Sequence, residues 1–212
     1  MTRLLVLGAT GLVGSHVVDL ALKNKRVTSI VAPTRRHWME RSGKLLNPIV
    51  DLGQGVPDAE WWAVDAVICT IGTTRKIAGS DDAFRRVDFD IPRAAALRAR
   101  EAGARCFALT SSIGANPASR FLYTRTKGEL EVALGGMGFA SLTILRPNVL
   151  GGQRPEFRLG ERAALAVLGA VGFLLPRRYR VSPAEVVARR LLEAAIAAPA
   201  GTHVIEAERL SE

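Results

Sequence analysis

The chain is poor in the residues that build metal centres or disulfide frameworks. Among its 212 residues it has two cysteines, Cys69 and Cys106, and three scattered histidines. Each cysteine lies inside an apolar run without further ligands close by, so a metal site is not expected. The pattern instead predicts reduced, buried core cysteines in a protein from a reducing compartment.

Long hydrophobic runs are also missing. The apolar run at 163–175 is shorter than the roughly 20 residues that cross a bilayer. The N-terminal apolar run carries three closely spaced glycines and no small-residue cleavage site, which is unlike a signal peptide. These features predict a cytosolic protein without a membrane span. A helix predicted at 160–175 is then expected to be buried, to face another subunit or to form a hydrophobic substrate wall.

Aromatic residues account for only 6% of the chain, whereas basic residues exceed acidic ones and give a net charge of +9. Such a charge is typical of proteins that bind nucleic acid, acidic membranes or phosphorylated ligands. The basic residues cluster at 35–37, with Arg41 and Lys44 nearby, and again at 177–180. Because few aromatic side chains lie among them, nucleic-acid binding, which would depend steeply on salt, is not expected. The second cluster is predicted to be a solvated face.

The chain shows a regular alternation of short apolar strands and helical patterns, without repeats or linkers. Strands are predicted at 3–7, 27–31, 45–50, 66–70, 105–110, 141–146 and 202–206. Helices are predicted at 12–23, 88–102, 119–134 and 183–198, the last opened by a capping box at 182–185. This order predicts an α/β fold with a doubly wound parallel sheet. One domain is expected, in which 150–212 forms a small substrate-side extension with a short helical lid.

A glycine-rich loop connects the first predicted strand to the first helix. The loop sequence GATGLVG comprises Gly8, Ala9, Thr10, Gly11, Leu12, Val13 and Gly14. Glycines at this spacing permit a tight turn, close approach of a pyrophosphate and close packing of helix on sheet. The N–H groups at the start of the helix would then face the phosphates. The loop predicts a dinucleotide site in a Rossmann fold, the alternative being a turn that serves packing alone.

The residues after the second strand indicate which dinucleotide would bind. NAD sites usually have an Asp or Glu there, which binds the ribose hydroxyls. At 31–36 this chain has no carboxylate and carries Arg35 and Arg36 instead. Because a guanidinium group binds phosphate through two hydrogen bonds, the sequence predicts NADP(H), held through its 2′-phosphate.

Two further turns are candidates for cofactor contacts. Asp51 and Leu52, after the third strand, are placed to contact the adenine edge. The residues that follow the fourth strand would line the middle of the cofactor; they are Thr70, Ile71, Gly72 and Thr73. The alternative is that both segments are ordinary turns between a strand and a helix.

Tyr123 and Lys127 are four residues apart on a predicted helix, so both lie on the same helix face. Together with GATGLVG and the pair Ser111–Ser112, this spacing resembles the short-chain dehydrogenase/reductase family, in its extended and atypical branches. The stretches TSSIGANPASRFLYTRTKGELE and LTILRPNVLGGQR more narrowly resemble Tat-interacting-protein-type oxidoreductases and bacterial nucleoside-diphosphate-sugar epimerase-like proteins. The resemblance covers nearly the whole chain. Without it, Tyr123 and Lys127 also fit a surface tyrosine beside a lysine with a partly buried stem.

The resemblance implies roles for these residues. Tyr123 would exchange a proton with the substrate, with its phenolate favoured by the ammonium group of Lys127. Lys127 would also hold the nicotinamide ribose, and Ser112, with Ser111 as the alternative, would orient the substrate oxygen. Three residues after the sixth strand would pack against the nicotinamide, namely Pro147, Val149 and Leu150. Arg158 is a candidate for substrate or phosphate contact, or a solvated arginine.

The function implied is an NADPH-dependent oxidoreductase that acts on a small carbonyl, quinone or enone substrate. Few residues follow the sixth strand, so a nucleotide sugar would have little to bind to, and epimerase activity is not expected. The alternative is a redox sensor that binds NADPH without turnover and signals to a protein partner. A small-molecule substrate is the expected ligand, and a homodimer or a protein partner is the expected association.

Overall fold

Short runs of aliphatic and β-branched residues form the strands of this protein. A computed structural model describes residues 1–38, 42–151 and 181–210. The strands are β1 (Thr2–Leu7), β2 (Val27–Val31), β3 (Leu45–Leu46), β4 (Ala66–Cys69), β5 (Cys106–Thr110), β6 (Ser141–Arg146), β7 (Leu150–Gly151), β8 (Ser182–Pro183) and β9 (Gly201–Glu206). Seven of them form one sheet in the order β3-β2-β1-β4-β5-β6-β9, and β7 pairs with β8 separately.

All neighbouring strands in the large sheet are parallel. The carboxyl ends of these strands therefore meet at one edge of the sheet. The strand order reverses between β1 and β4, and in open α/β sheets the crevice at such a point is where ligands bind. The prediction of a doubly wound parallel sheet is confirmed.

Helices cover both faces of the sheet. They are α1 (Leu12–Lys23), α2 (Arg75–Ala78), α3 (Asp81–Arg85), α4 (Ile91–Glu101), α5 (Leu122–Gly135) and α6 (Ala184–Ala197). A π-helical segment, Arg86–Asp90, joins α3 to α4, so the chain is continuously helical across this region. Short 3₁₀ turns lie at Leu52–Gln54, Glu60–Trp62 and Ala207–Arg209.

Alternating side chains of the strands divide the core into two layers. Leu4 and Val6 of β1 face a layer that contains the buried sides of α1 and α6. Leu5 and Leu7 of the same strand face the other layer, which contains buried residues of α4 and α5. Because successive residues of a strand point to opposite faces, an unbroken apolar strand such as β1 serves both layers.

Several elements differ from the sequence prediction. The third strand is limited to Leu45–Leu46, because Pro48 has no N–H to donate; beyond it a single bridge joins Thr34 to Ile49. The capping box predicted at 182–185 is wrong, since Ser182 belongs to β8 and its hydroxyl accepts a hydrogen bond from the N–H of Asn148 at 3.2 Å. The helix predicted at 88–102 begins as the π segment and becomes α-helical only at Ile91.

Cys69 and Cys106 are both buried and unpaired, as predicted, and burial raises the pKa of the Cys69 thiol to about 11. Among the described helices, none has the length and apolar character needed to cross a membrane. Arg158, the helix predicted at 160–175 and the basic cluster at 177–180 lie outside the described residues. The division that makes 150–212 a substrate-side extension stays a prediction.

Candidate functional site

The glycine loop lies at the sheet edge where the carboxyl ends of β1 and β4 meet. Gly8 has a φ of +81°, a conformation that favours glycine. A Cβ atom on Gly14 would lie 2.1 Å from the carbonyl oxygen of Gly8, so α1 approaches the loop backbone too closely for any side chain there. The hydroxyl of Thr70 donates to the carbonyl of Leu7 at 3.0 Å, which ties the end of β4 to the loop. The fold itself therefore requires glycine at positions 8 and 14.

Gly11 is under a different constraint. It is exposed, its φ is −77°, and it is the N-cap of α1 without a side chain to cap the helix. The first N–H groups of α1 therefore have no side-chain cap, and exposed Thr10 and half-buried Leu12 lie beside them. Backbone N–H groups at a helix start are suited to phosphate oxygens. The predicted loop residues, including buried Ala9 and Val13, are all brought to this edge.

Arg35 and Arg36 lie in the bend that follows β2, and both are exposed. Neither forms an ion pair with any residue in the described ranges. Asn47 braces this bend, since its amide donates to the carbonyl of Ala32 at 2.6 Å and to the hydroxyl of Thr34 at 2.8 Å. The two guanidinium groups are thus carried on a bend with a fixed backbone and remain available to an anion.

The turn after β3 is engaged in local structure. The carboxylate of Asp51 accepts a hydrogen bond from the N–H of Gly53 at 2.9 Å and caps the following 3₁₀ turn. Leu52 packs against the core layer beneath α4 and α5. The alternative of an ordinary turn thus accounts for both residues, and a contact with adenine stays a prediction.

The loop after β4 covers a buried ion pair. Ile71 packs into the core, whereas Gly72 is exposed above it. The N–H of Thr73 donates to Oδ2 of Asp88 at 2.8 Å. A Cβ atom on Gly72 would lie 3.4 Å from Oδ1 of Asp88 and 3.5 Å from Nζ of Lys127. The loop predicted to line the cofactor is therefore held directly over the ammonium group of Lys127.

Ser111 and Ser112 have different surroundings, although both are buried. The hydroxyl of Ser111 donates a short hydrogen bond to Glu131 of α5. The hydroxyl of Ser112 makes only a 3.3 Å contact with the carbonyl of the next residue, Ile113. This difference favours Ser112 for contact with a substrate oxygen, because the Ser111 hydroxyl is already committed to a carboxylate.

Helix α5 is docked closely against the loop that follows Ser112. A Cβ atom on Gly128 would lie 2.4 Å from the carbonyl carbon of Asn116, so the helix and loop backbones are in direct contact. The N–H of Asn116 donates to the carbonyl of Thr124 at 3.0 Å. The position of Tyr123 on α5 is thereby fixed relative to the Ser112 loop. Tyr123 is 43% exposed, and its ring lies 5.9 Å from that of Phe84.

Lys127 is almost completely buried and is paired with a carboxylate that the sequence analysis did not identify. Its Nζ lies 2.8 Å from Oδ1 of Asp88, whose side chain has no exposed area. Burial acts against the charge of Lys127, but the opposed charge of Asp88, with Tyr123 nearby, outweighs it and leaves the pKa of Lys127 above its ordinary value. Lys127 is thus a protonated ammonium group at neutral pH.

A second, partly exposed charge network supports the same sheet edge. Glu131 accepts hydrogen bonds from Nε and Nη2 of Arg146 at 3.1 and 2.6 Å, and Nη1 of Arg146 donates to Glu206 at 2.9 Å. The hydrogen bonds from Arg146 to Glu131, more than any other contact, raise the pKa of Arg146 above its usual value. Through Ser111 this network joins the ends of β5, β6 and β9 to α5. It is structural, and its charged atoms are already paired.

The residues after β6 run beside the Ser112 loop. The N–H of Ile113 donates to the carbonyl of buried Pro147 at 2.9 Å, which extends the pairing of β5 and β6 beyond the strands. Val149 is exposed, and half-buried Leu150 packs against the core layer beneath α1 and α6. Pro147, Val149 and Leu150, which were predicted to contact the nicotinamide, therefore all lie at the edge where the carboxyl ends of the strands meet.

A dinucleotide fits the residues present at this edge. The uncapped start of α1 offers N–H donors, and Gly11 leaves its approach open. Two guanidinium groups follow β2 and have no ion-pair partner within the described ranges. The residues that reasoning from sequence missed are Asp88, Asn47, Glu131 and Gly128. Their roles depend on contacts with distant segments, so no local pattern signals them.

The chain is similar in sequence to fungal proteins whose names include the word "mitochondrial". The chain is 35% identical over 184 residues to "Protein fmp52, mitochondrial" of Emericella nidulans, covering 81% of this chain and 77% of that protein. It is 40% identical over 163 residues to "Protein FMP52, mitochondrial" of Lodderomyces elongisporus, covering 72% and 68%. These names contradict the expectation of a cytosolic protein, which was drawn from the lack of a signal peptide and membrane span. No protein-family model matches the chain.

Solved structures with low sequence identity share the fold. MoeE5 in complex with UDP-glucose and NAD superposes with a TM-score of 0.70 at 19% identity, over 95% of this chain and 74% of that one. A Bacillus halodurans protein assigned as an NAD-dependent epimerase/dehydratase superposes with a TM-score of 0.69 at 20% identity, over 100% and 99%. The likeness establishes an NAD(P)-binding Rossmann-type fold.

Proposed function

Since the chain belongs to the FMP52 family and has an NAD(P)-binding Rossmann-type fold, we propose that it is an NADPH-dependent oxidoreductase that reduces a small carbonyl or quinone-like substrate. The observation that carries this proposal is the docking of α5 on the Ser112 loop. It brings Tyr123, with Lys127 beneath it, to the same sheet edge as the glycine loop.

Each group of residues at this edge would have its own role in such a reaction. When bound, NADPH supplies the hydride that adds to the carbonyl carbon. The glycine loop and α1 hold the phosphates, and Ser112 donates a hydrogen bond that orients the substrate oxygen. Tyr123 gives its proton to that oxygen as the carbonyl becomes an alcohol. Water then returns a proton to Tyr123, which is 43% exposed.

The preference for NADPH over NADH rests on Arg35 and Arg36. Neither has a carboxylate partner among the described residues, and the bend that carries them is held by Asn47. A 2′-phosphate on the adenosine ribose would supply the missing anion. MoeE5 was solved with NAD, so the proposal assigns this chain a different preference from that neighbour.

Epimerisation of a nucleotide sugar is a weaker candidate. The superposition with MoeE5 leaves about a quarter of that longer chain unmatched, whereas the Bacillus halodurans protein is matched over 99% of its length. Because the Bacillus halodurans protein is itself assigned as an NAD-dependent epimerase/dehydratase, UDP-glucose belongs in the panel of test substrates.

Replacement of Tyr123 by Phe tests the proposal. We expect Tyr123→Phe to reduce NADPH oxidation by roughly 100-fold or more across a panel of aldehydes, ketones and quinones, because the proton donor is lost. NADPH binding, followed by its fluorescence, should be retained. Tyr179→Phe, which removes the other tyrosine of the chain, is the matched control.

Full activity in the Tyr123→Phe variant would rule out the assigned acid. Tight NADPH binding by the unmodified protein, with no turnover of any substrate in the panel, would instead favour the redox sensor. The names of the relatives favour a mitochondrial location, which subcellular fractionation of the source cells would test.

A further inference from the structure

The pairing of Lys127 with Asp88 changes what Lys127 can do to Tyr123. An unpaired ammonium group beside a phenol favours the phenolate, and that was the expectation from the sequence. In the structure Nζ of Lys127 lies 2.8 Å from Oδ1 of Asp88, and the side chains are 4% and 0% exposed. At this distance, away from water, the carboxylate opposes most of the field that the ammonium group exerts on its surroundings.

We propose that Asp88 is a positioning residue that holds the ammonium group of Lys127 and opposes its charge, so that Tyr123 keeps the proton that it gives to the substrate oxygen in carbonyl reduction. The direction of the reaction rests on the proposed function, whereas the charge pairing does not. Reduction needs a phenol that gives up a proton, whereas oxidation of an alcohol needs a phenolate that accepts one.

The surroundings of Asp88 show that its position is built for this partner. It lies in the π-helical segment between α3 and α4, and such segments occur frequently at functional sites. Its second oxygen, Oδ2, is held by the N–H of Thr73 at 2.8 Å. Oδ1 is left directed at Lys127, beneath exposed Gly72. One carboxylate thus connects the loop after β4 to the helix that carries Tyr123.

The other ionisable groups near Lys127 leave this balance unchanged. Cys69 of β4 lies close enough to interact with Lys127, but burial raises the pKa of its thiol to about 11, so it is neutral at physiological pH. On the surface where α3 meets α5, Arg85 is already paired with Glu129. The charge that acts most strongly on Lys127 is therefore that of Asp88.

The balanced reaction shows where each proton goes. Hydride adds to the carbonyl carbon as NADPH becomes NADP⁺, and the π-electron pair of the C=O bond moves to oxygen. That oxygen takes the proton of the Tyr123 hydroxyl, which gives the alcohol and a tyrosinate. Tyr123 recovers its proton from water, while Lys127 stays protonated and Asp88 stays ionised throughout.

The ultraviolet absorbance of tyrosinate gives a direct test, because Tyr123 and Tyr179 are the only tyrosines in the chain. In a Tyr179→Phe background the pH titration of this absorbance reports Tyr123 alone, without cofactor or substrate. We expect Lys127→Gln to move the titration midpoint up by about one pH unit or more, because the buried carboxylate of Asp88 is then unopposed. Asp90→Asn, an exposed position in the same segment, is the control and should leave the midpoint in place.

A double variant, Asp88→Asn with Lys127→Gln, keeps the proposal falsifiable if the single variant does not fold. It removes both buried charges at once, which proteins tolerate better than the loss of one. We expect its tyrosinate midpoint to match that of the Tyr179→Phe parent within about half a pH unit, since the pair is neutral in both. A rise of a full unit or more would mean that Lys127 acts as an unopposed cation in the parent and would overturn the proposal.

An unchanged or lowered midpoint in a folded Lys127→Gln variant would also overturn it. These readings stand apart from the proposed function, because they require neither NADPH binding nor turnover. If the protein failed to oxidise NADPH but the midpoints moved as expected, the charge pairing would stand and the oxidoreductase assignment would fall.

Discussion

Gly11 and Gly14 lie three residues apart in one loop, but they lack side chains for different reasons. A Cβ atom at Gly14 would lie 2.1 Å from the backbone oxygen of Gly8, which cannot move without distorting the loop. A Cβ atom at Gly11 would meet the same oxygen at 3.2 Å, and the φ of Gly11 suits any residue. Glycine at position 14 is thus required by packing, whereas at position 11 it leaves space for a ligand.

Alanine substitutions should separate these two constraints. We expect Gly14→Ala to lower the free energy of unfolding by about 2 kcal/mol or more, because backbone atoms must move apart. Gly11→Ala should cost less, about 1 kcal/mol or below, because its Cβ atom meets the Gly8 oxygen at 3.2 Å, but should weaken NADPH binding at least about tenfold. Urea unfolding and NADPH fluorescence titration measure the two quantities.

Gly135→Ala provides the control at the end of α5, where a Cβ atom would meet nothing within 4 Å. This variant should be as stable as the parent or slightly more so. If Gly11→Ala bound NADPH as tightly as the parent, the loop would be a packing turn, which is the alternative that the sequence left open.

At the scale of elements, an ion pair joins the start of β1 to the start of β4. The carboxylate of Asp65 accepts hydrogen bonds from the backbone N–H of Arg3 at 2.8 Å and from its Nη2 at 2.9 Å. The hydrogen bond to the Arg3 side chain is the main reason that the pKa of Asp65 lies below its ordinary value of 3.8. The pair therefore stabilises the folded protein only while Asp65 is ionised.

This linkage predicts a stability difference that depends on pH. Because the folded-state pKa of Asp65 is lowered, its contribution is complete above the unfolded value of 3.8 and is lost as the pH falls through the folded value. Asp65→Asn should cost about 1 kcal/mol at pH 7, a modest amount because both side chains are partly exposed. Urea unfolding of both proteins from pH 7 to about pH 2 should show the difference disappear in acid.

Asp58→Asn serves as the control for this pair. Asp58 also pairs with an arginine, Arg98, but its side chain is 93% exposed. Its loss should change stability less than the loss of Asp65 at every pH. A cost for Asp65→Asn that persisted unchanged in acid would show that it arises from packing rather than from charge.

Elements with strong local signals were predicted closely, and those shaped by distant contacts were not. The sequence placed α1 at 12–23 and β2 at 27–31, because periodic apolar residues and adjacent glycines mark their limits. It gave Ser182 to a helix cap, although β8 pairs this residue with Leu150 instead. Likewise, nothing local to Asp88 reveals its pairing with Lys127. The chemical pattern of the site was predictable, whereas the carboxylate that controls its charge was not.

At the scale of the whole molecule, the net charge of +9 raises the question of which anion the protein binds. A ligand that binds only the folded state raises the unfolding temperature, and at equal concentration the tighter ligand raises it more. We expect NADPH to stabilise the protein more than NADH at equal concentration, because only NADPH carries the phosphate that Arg35 and Arg36 would bind. A thermal unfolding series with each cofactor measures this difference directly.

The arginines can be tested against a matched pair elsewhere on the surface. In an Arg35→Ala/Arg36→Ala variant, we expect the affinity for NADPH to fall by about 10- to 100-fold and to approach that for NADH, since charged hydrogen bonds to the phosphate are lost. Arg189→Ala/Arg190→Ala removes the same two charges from exposed positions on α6 and should preserve the preference. Any general effect of net charge would appear equally in both variants, so only a difference between them locates the phosphate site after β2. Equal stabilisation of the unmodified protein by both cofactors would remove the basis for assigning NADPH.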